Sequence, residues 1–349
     1  MKQIKVSDKK TDVNMRSILV TGASGFIGSF IVEEALRRGF TTWAGVRSTS
    51  SRRYLKDSAL NFMELDFARP DKLKACLAAH KAANGAFDYV VHCAGVTKCP
   101  DEQMFDEVNY RQTCLFADTL RELDMVPCQF IHISTLSVFG PIREADYSPI
   151  RETDTPMPDT AYGRSKLRAE EYIRSIPGFP YVIYRPTGVY GPRESDYYLM
   201  AKSIRRHVDF SVGLRRQDLT FVYVKDMVQA IFLGIEKGVS RRAYFLTDGK
   251  VYRSRAFSDL IRKELGNPFV IRVKCPLIVL KIVSLLAQFI AARSGKSSTL
   301  NSDKYKIMKQ RNWQCDISPT INELGYRPEY DLERGVRETI AWYKKEGWL

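Results

Sequence analysis

The 349-residue chain has no CxxC pair, no arginine-rich arm, no internal repeat and no low-complexity tract. Its seven cysteines (Cys76, Cys93, Cys99, Cys114, Cys128, Cys275 and Cys315) are scattered and odd in number, which argues against a disulfide framework or a zinc ribbon. Several lie in apolar strand-like runs, where cysteine behaves as a small hydrophobe, so a reducing, cytoplasmic setting is expected. No metal ligand set is expected. The formal net charge is +14, but its densest spots are only the doublets Arg52-Arg53, Arg205-Arg206, Arg215-Arg216 and Arg241-Arg242. Without zinc-finger spacing or an RNA-binding aromatic signature, this reads as solvated surface charge with a few phosphate contacts, and no nucleic-acid partner is expected. Residues 1–14 hold no apolar stretch and are expected to form a flexible polar extension, not a secretory signal, with the body starting at Met15. Long apolar runs are scarce. The exception, residues 277–292, is broken by Lys281, Ser284 and Gln288 and is at the lower edge of spanning length. A lid or buried helix is the favoured reading, and peripheral membrane contact the second.

What is present is a regular alternation. A strand pattern at Ser17–Thr21 leads through a glycine turn into a helical pattern from Phe26 to Arg38. Further strand-like runs lie at 42–46, 61–65, 87–93, 129–134, 181–184 and 243–246, with helical patterns between most of them; 47–60 looks irregular. Strands alternating with helices indicate a parallel sheet covered on both faces. The expected fold is α/β, a Rossmann-type doubly wound sheet over residues 15–185. A smaller, mostly helical C-terminal substrate lobe follows over 186–349, with 219–248 returning to the sheet.

The turn Thr21-Gly22-Ala23-Ser24-Gly25-Phe26-Ile27-Gly28 spaces its glycines GxxGxxG. Gly22 permits the tight turn, Gly25 lets the backbone approach a pyrophosphate, and Gly28 allows close helix–strand packing. The helix start offers N–H donors and a positive dipole end. Gly22, Ser24, Gly25, Phe26, Ile27 and Gly28 are therefore expected to hold a dinucleotide. The second strand ends in Arg47 where an NAD-preferring site commonly places an acid; an arginine can meet a 2′-phosphate, so NADP is favoured slightly over NAD, with Arg52 and Arg53 as helpers. Asp66 and Phe67 follow the third strand, and the Asp66 carboxylate can accept from an adenine amino group. Cys93, Ala94 and Gly95 end the fourth strand and leave room for a ribose or nicotinamide, whereas His92 reads as a packed core histidine.

Three YxxxK pairs occur: Tyr162–Lys166, Tyr198–Lys202 and Tyr305–Lys309. Each puts both side chains on one helix face. Only Tyr162 starts a helical pattern one connection after a hydroxyl-bearing strand end, 130–135. Hydride exchange with nicotinamide requires a partner that gives or takes a proton. Tyr162 fits this role, with Lys166 lowering its pKa and bonding the ribose, and Thr135 or Ser134 holding the substrate oxygen.

With those residues in view, the chain resembles the extended short-chain dehydrogenase/reductase superfamily over nearly all of 15–349. TGASGFIG (21–28), HCAG (92–95), ISTLSVFG (133–140), YGRSK (162–166) and YRPTGVYGP (184–192) occur in that family's order. The resemblance places the catalytic hydroxyl on Thr135, an asparagine beneath the active-site strands on Asn109, and a residue near the nicotinamide amide on Pro186. Within the superfamily, FVYVKDMVQA (221–230) and the tail 312–349 look most like 3β-hydroxysteroid dehydrogenase-like and dihydroflavonol reductase-like members. Two departures count against a nucleotide-sugar epimerase: Gly188 stands where such enzymes carry a phosphate-binding asparagine, and Leu219 where they carry an arginine. Arg193, Arg215 or Arg216 could substitute. The resemblance implies an oxidoreductase acting on a small-molecule secondary alcohol or ketone, with a sterol suggested by the apolar 277–292 helix and the Tyr/Phe-rich stretch 179–223. A nucleotide-sugar enzyme and a non-catalytic nicotinamide-binding sensor or assembly factor are the alternatives. A homodimer is common in the family.

Overall fold

In the computed structural model, residues 16–99, 101–293 and 302–349 are described, with backbone alone for 288–293. The extension expected at 1–14 lies outside the described residues. Ile18, Leu19 and Val20 are fully buried, as an apolar strand covered on both faces must be. They belong to β1 (Ser17–Thr21), which is followed by α1 (Phe26–Arg37), β2 (Thr41–Val46) and β3 (Asn61–Glu64). Next come α2 (Pro70–Asn84), β4 (Tyr89–His92) and a long helix in three parts: α3 (Glu102–Phe105), a π-helical turn (Asp106–Arg111) and α4 (Gln112–Glu122). β5 (Gln129–Ile133), α5 (Ala161–Ser175) and β6 (Tyr181–Pro186) complete this half.

The second half contains β7 (Gly188–Tyr190), α6 (Asp196–Arg205), β8 (Val208–Val212), β9 (Asp218–Leu219), β10 (Phe221–Tyr223), α7 (Val224–Glu236) and β11 (Arg242–Leu246). It ends with β12 (Tyr252–Arg253), α8 (Ala256–Glu264), β13 (Ile271–Cys275), α9 (Leu277–Arg293), α10 (Ser302–Lys309), α11 (Ser318–Leu324) and α12 (Leu332–Lys345).

Seven strands form one sheet in the order β11-β6-β5-β4-β1-β2-β3, and every neighbouring pair is parallel. The order reverses between β1 and β4, and ligands of open α/β sheets bind at the strand C-termini beside such a switch. Both β1 and β4 end there in small residues, Gly22 and Ala94. No helix lies between β2 and β3, in line with the irregular 47–60 stretch. β11 joins the sheet beside β6, whereas β9 and β10 pair outside it.

Most of the aromatic stretch 179–223 proves to be core, with Phe210 the exposed exception. Phe179, Tyr181, Tyr184, Tyr190, Phe221 and Tyr223 are buried. Tyr190, Phe221 and Tyr223 pack with Phe257 and Val336 in the lobe's own core. Their number therefore says nothing about the substrate, because the rings are consumed in packing one another.

The small β8–β13 ribbon is patterned inside out. Asp209 is buried and bonded to Arg255 and Ser258 of α8, and its register partner Arg272 donates to Asp259 of the same helix at 2.9 Å. Strand alternation then sends Val208, Phe210, Ile271 and Val273 to the other face, where Phe210 and Ile271 are more than half exposed. α9 follows directly after β13. Leu280 and Ser284 are buried, while Ile278, Val279, Ile282, Val283, Leu285 and Leu286 point outward.

Candidate active site

The glycine turn is shaped by close approach. Gly22 has φ +64°, and a Cβ there would stand 2.8 Å from the Ala94 backbone nitrogen. A Cβ on Gly28 would stand 2.3 Å from the Gly22 carbonyl oxygen. α1 therefore begins tight against the β1 and β4 ends, and its N-cap, Gly25, supplies no side-chain cap. The first helical N–H groups are left for a ligand, which is the donor set that a pyrophosphate needs. The residues present thus fit a dinucleotide.

Arg47 is exposed just beyond β2; its backbone N–H donates to Ser50 Oγ at 3.0 Å and its carbonyl accepts from the Ser50 N–H at 2.9 Å. The expected helpers are occupied: Arg52 lies over the Phe62 ring, and Arg53 lies near Glu346 and Tyr54. Asp66 is paired with Arg69 at 2.5 Å, which holds its carboxyl below the ordinary range. Phe67 stands edge-on to His92 and Phe116.

His92 is buried, accepting from or donating to Thr21 Oγ1 at 2.9 Å and Thr113 Oγ1 at 3.0 Å. Burial and the nearby Lys166 push its pKa down to about 3, so it stays neutral and acts as a tie between β1, β4 and α4.

Across the cleft, Thr160 caps α5 by accepting from the Gly163 N–H. Tyr162 and Lys166 follow one turn apart. Lys166 is nearly fully buried, and its Nζ donates to the Ile133 carbonyl at 2.8 Å. Gly95 lies directly against it: a Cβ at position 95 would be 3.3 Å from Nζ and 3.0 Å from Asn109 Oδ1. Asn109 sits in the π-helical turn, bonded to the Val96 N–H and C=O and to Ser165 Oγ. Such turns insert one residue and re-aim a side chain, here into the site. Cys93 lies at the β4 end, its thiol pushed up to about 11 by burial. Pro186 is buried at the end of β6, in register with Leu246.

The choice between Ser134 and Thr135 is decided by direction. Ser134 Oγ turns inward and donates to Glu170, which is buried against Arg185 at 2.5 Å. Thr135 turns the other way, close enough to Tyr162 to favour its phenolate, while its own hydroxyl donates to Ser137 Oγ and accepts from the Ser137 N–H, both at 3.2 Å. Of the hydroxyls at this strand end, it is Thr135 that faces Tyr162.

The electrostatics differ from the sequence expectation. Lys166 was expected to lower the Tyr162 pKa. Burial instead pushes the phenol up to about 12, with the Thr135 hydroxyl opposing, and pushes the Lys166 ammonium down to about 8. Desolvation is the leading cause in both, because burial disfavours each charged form. At neutral pH the site therefore holds a phenol beside an ammonium.

The two departures, Gly188 and Leu219, are both packed against neighbouring side chains. A Cβ on Gly188 would meet the Tyr197 hydroxyl at 2.7 Å and Phe221 at 3.1 Å. Leu219 pairs with Tyr252. Arg216 forms a two-pronged bond to buried Asp218, which also receives Arg253 and Gln314. Arg193 is spent on Ser29 and Glu33. Of the three arginines expected as substitutes, two are thus already paired with carboxylates.

Sequence reasoning missed Asp303, whose carboxylate accepts the Ala161 and Tyr162 backbone N–H groups from α10. Nothing within α10 signals this, because the partner lies about 140 residues away.

Comparison with known proteins fits this geometry. The model of the NAD dependent epimerase/dehydratase family matches residues 18–246. The chain belongs to that family. It is an NAD-dependent enzyme type of the extended short-chain dehydrogenase/reductase superfamily. It is 23% identical to a sterol-4-alpha-carboxylate 3-dehydrogenase (decarboxylating) of Dictyostelium discoideum, over 93% of this chain and 100% of the relative. It is 24% identical to the dTDP-D-glucose 4,6-dehydratase of Mus musculus, over 95% of this chain and 89% of that one. Among solved structures, the Bordetella bronchiseptica enzyme WbmG in complex with NAD superposes with a TM-score of 0.76 at 20% identity, covering 97% of each chain.

Proposed function

We propose that this family member is an oxidoreductase interconverting a secondary alcohol and a ketone on an apolar substrate, a 3β-hydroxysterol being the leading candidate. The observation that carries the reaction type is the meeting of Tyr162, Lys166 and Thr135 at the mouth beside Gly95. When bound, the nicotinamide accepts or delivers the hydride at the carbinol carbon. Tyr162 moves the proton at the oxygen, and a phenol held up at about 12 is in its donor form, ready for ketone reduction. Lys166, still an ammonium at neutral pH, favours the phenolate that alcohol oxidation requires. Thr135 holds the substrate oxygen and stabilises its developing charge. Asn109 fixes the floor under Lys166 by gripping the 96 peptide on both sides.

The apolar substrate is supported by the packed positions at Gly188 and Leu219 and by the sterol dehydrogenases among the relatives. Exposed Arg47 supports NADP over NAD; Arg47→Ala should weaken NADP about tenfold and leave NAD unchanged. The outward apolar face of α9 and the β8–β13 ribbon supports a peripheral contact with a lipid surface. No helix among the described residues is long and apolar enough to cross a membrane. α9 carries no acidic residue and presents Lys281 among its exposed apolar positions, so anionic headgroups are the complement.

The test is turnover, read at the nicotinamide band with both cofactors, across 3β-hydroxysterols (one carrying a 4-carboxylate), flavonoid-like ketones and UDP- and dTDP-sugars. Sterol oxidation is expected. Turnover of a nucleotide sugar with none of the sterols would replace this reading with the epimerase/dehydratase one.

A further inference from the structure

The helix that carries Tyr162 does not complete its own N-terminus. The first N–H groups of any helix lack intrahelical partners. In α5, Thr160 takes one of them, the Gly163 N–H, at 2.9 Å. The two before it, on Ala161 and on Tyr162 itself, donate to the two oxygens of one carboxylate, Asp303 Oδ1 at 3.1 Å and Oδ2 at 3.0 Å. Asp303 is buried and comes from α10, in the C-terminal lobe.

α10 is itself pinned around the site. Lys304 reaches Asp196 at 3.0 Å, and Asp196 is shared with Lys98 from the segment after β4. Lys306 donates to the Asp159 carbonyl at 2.8 Å, just before α5. Gln310, after the helix, donates to the Gly140 carbonyl at 3.0 Å, in the loop that follows Thr135. The segment thus touches the connections on both sides of the Tyr162–Thr135 pair. It also packs against α9, whose outer face is the exposed apolar one.

We infer that Asp303 is a positioning residue for the proton donor: it locks the backbone of Tyr162 only when the α9–α10 part of the lobe is seated on the sheet domain. The lobe that covers the substrate thereby sets the geometry of the tyrosine. The physical basis is direct. Two charge-assisted bonds end on the N–H groups of residues 161 and 162, a carboxylate at a helix N-terminus is favoured by the dipole, and the Tyr162 side chain hangs from the second of those peptides. A shift of about 1 Å at a reacting group costs on the order of a hundredfold in rate. The inference rests on Tyr162 being the proton donor, and its test separates the two.

Full-length enzyme is assayed with NAD or NADP and a 3β-hydroxysterol, as wild type, Asp303→Asn, Asp303→Ala, Tyr162→Phe and the Asp303→Asn/Tyr162→Phe pair. Asp303→Asn is expected to lower kcat by about tenfold to a hundredfold with KM and cofactor Kd within about twofold, and to raise the solvent isotope effect as proton transfer becomes limiting. In the Tyr162→Phe background the same change should cost nothing further, because the group it positions is gone. Amide hydrogen exchange adds a readout that needs no turnover. Peptides covering 160–166 should exchange faster in Asp303→Asn, while those covering 21–28 should not. If Tyr162→Phe keeps wild-type activity, the proton-donor reading fails. If Tyr162→Phe is inactive but Asp303→Asn keeps wild-type kcat, isotope effect and exchange, the positioning role is overturned. A rise in KM with a lower Tm and unchanged kcat would also overturn it, leaving a purely structural cap.

Discussion

The Tyr197 hydroxyl occupies the space that any side chain at Gly188 would need, 2.7 Å from an ideal Cβ. Tyr197 is stacked on Phe257 at 4.3 Å between ring centres, so it is not a flexible tip that can swing away. Gly188→Ala should therefore overpack the lobe core and cost about 1–3 kcal/mol. Tyr197→Phe removes the clashing oxygen and should recover part of that loss in the double variant. Urea unfolding of the four proteins measures both. A neutral Gly188→Ala would mean that the position is open and that the argument against a phosphate ligand there is void.

The Glu170–Arg185 pair lies behind the site with both partners nearly inaccessible. Glu170→Gln leaves a buried guanidinium without its counter-charge and also weakens the hold on Ser134. A loss of about 3–5 kcal/mol is expected, visible as a large fall in Tm. Replacing both with apolar residues of similar volume should cost much less, since no unpaired charge remains.

Lys166 gives stability a pH dependence with a definite sign. Its pKa in the folded chain is about 8, below the ordinary 10.5. Between those values the unfolded chain binds more protons, so this group's contribution to stability rises as pH climbs from 8 to 10.5. Tyr162 works the other way. It is held at about 12 against an ordinary 10, and stability is lost as pH rises through that window. Lys166→Met should remove the first rise and keep the second fall in denaturant titrations at stepped pH. An unchanged curve between pH 8 and 10.5 would contradict the burial effect.

The outward face of α9 should bind lipid. Wild-type protein is expected to sediment with vesicles containing phosphatidylserine and to be released by salt, because the charge part of the contact is screened. Ile282→Glu with Leu286→Glu, both on exposed positions, should abolish sedimentation while leaving Tm within about 2 °C. Equal binding of the double variant would show that this face does not contact the bilayer.

Much of the fold was legible because its signals are local. The apolar strands, the Gly22/Gly25/Gly28 turn and the Tyr162–Lys166 spacing are each short-range signals, and the structure brings the turn and the pair to the carboxyl ends of the central strands. What was not legible depends on direction or distance. Spacing alone left Ser134 beside Thr135 and only the resemblance chose Thr135, because which hydroxyl faces the cleft is set by Glu170 and Arg185 on other elements. The tyrosines and phenylalanines of 179–223 suggested a ligand surface, yet Tyr190, Phe221 and Tyr223 pack on α8 and α12, whose positions no local pattern reveals. The upward push of burial on the Tyr162 phenol was not legible, because burial is not visible in a motif. The β8–β13 ribbon lay outside the expected strands, because its buried polar face makes sense only against α8.

The most direct measurement is the single-turnover rate of hydride transfer with a 3β-hydroxysterol in wild type and in Tyr162→Phe, alongside the cofactor dissociation constant of each. The expected result is loss of roughly 10²–10⁴-fold in the rate, as for removal of a general acid–base group, with cofactor affinity within about threefold. A Tyr162→Phe enzyme that transfers hydride at the wild-type rate would contradict the role assigned to the tyrosine.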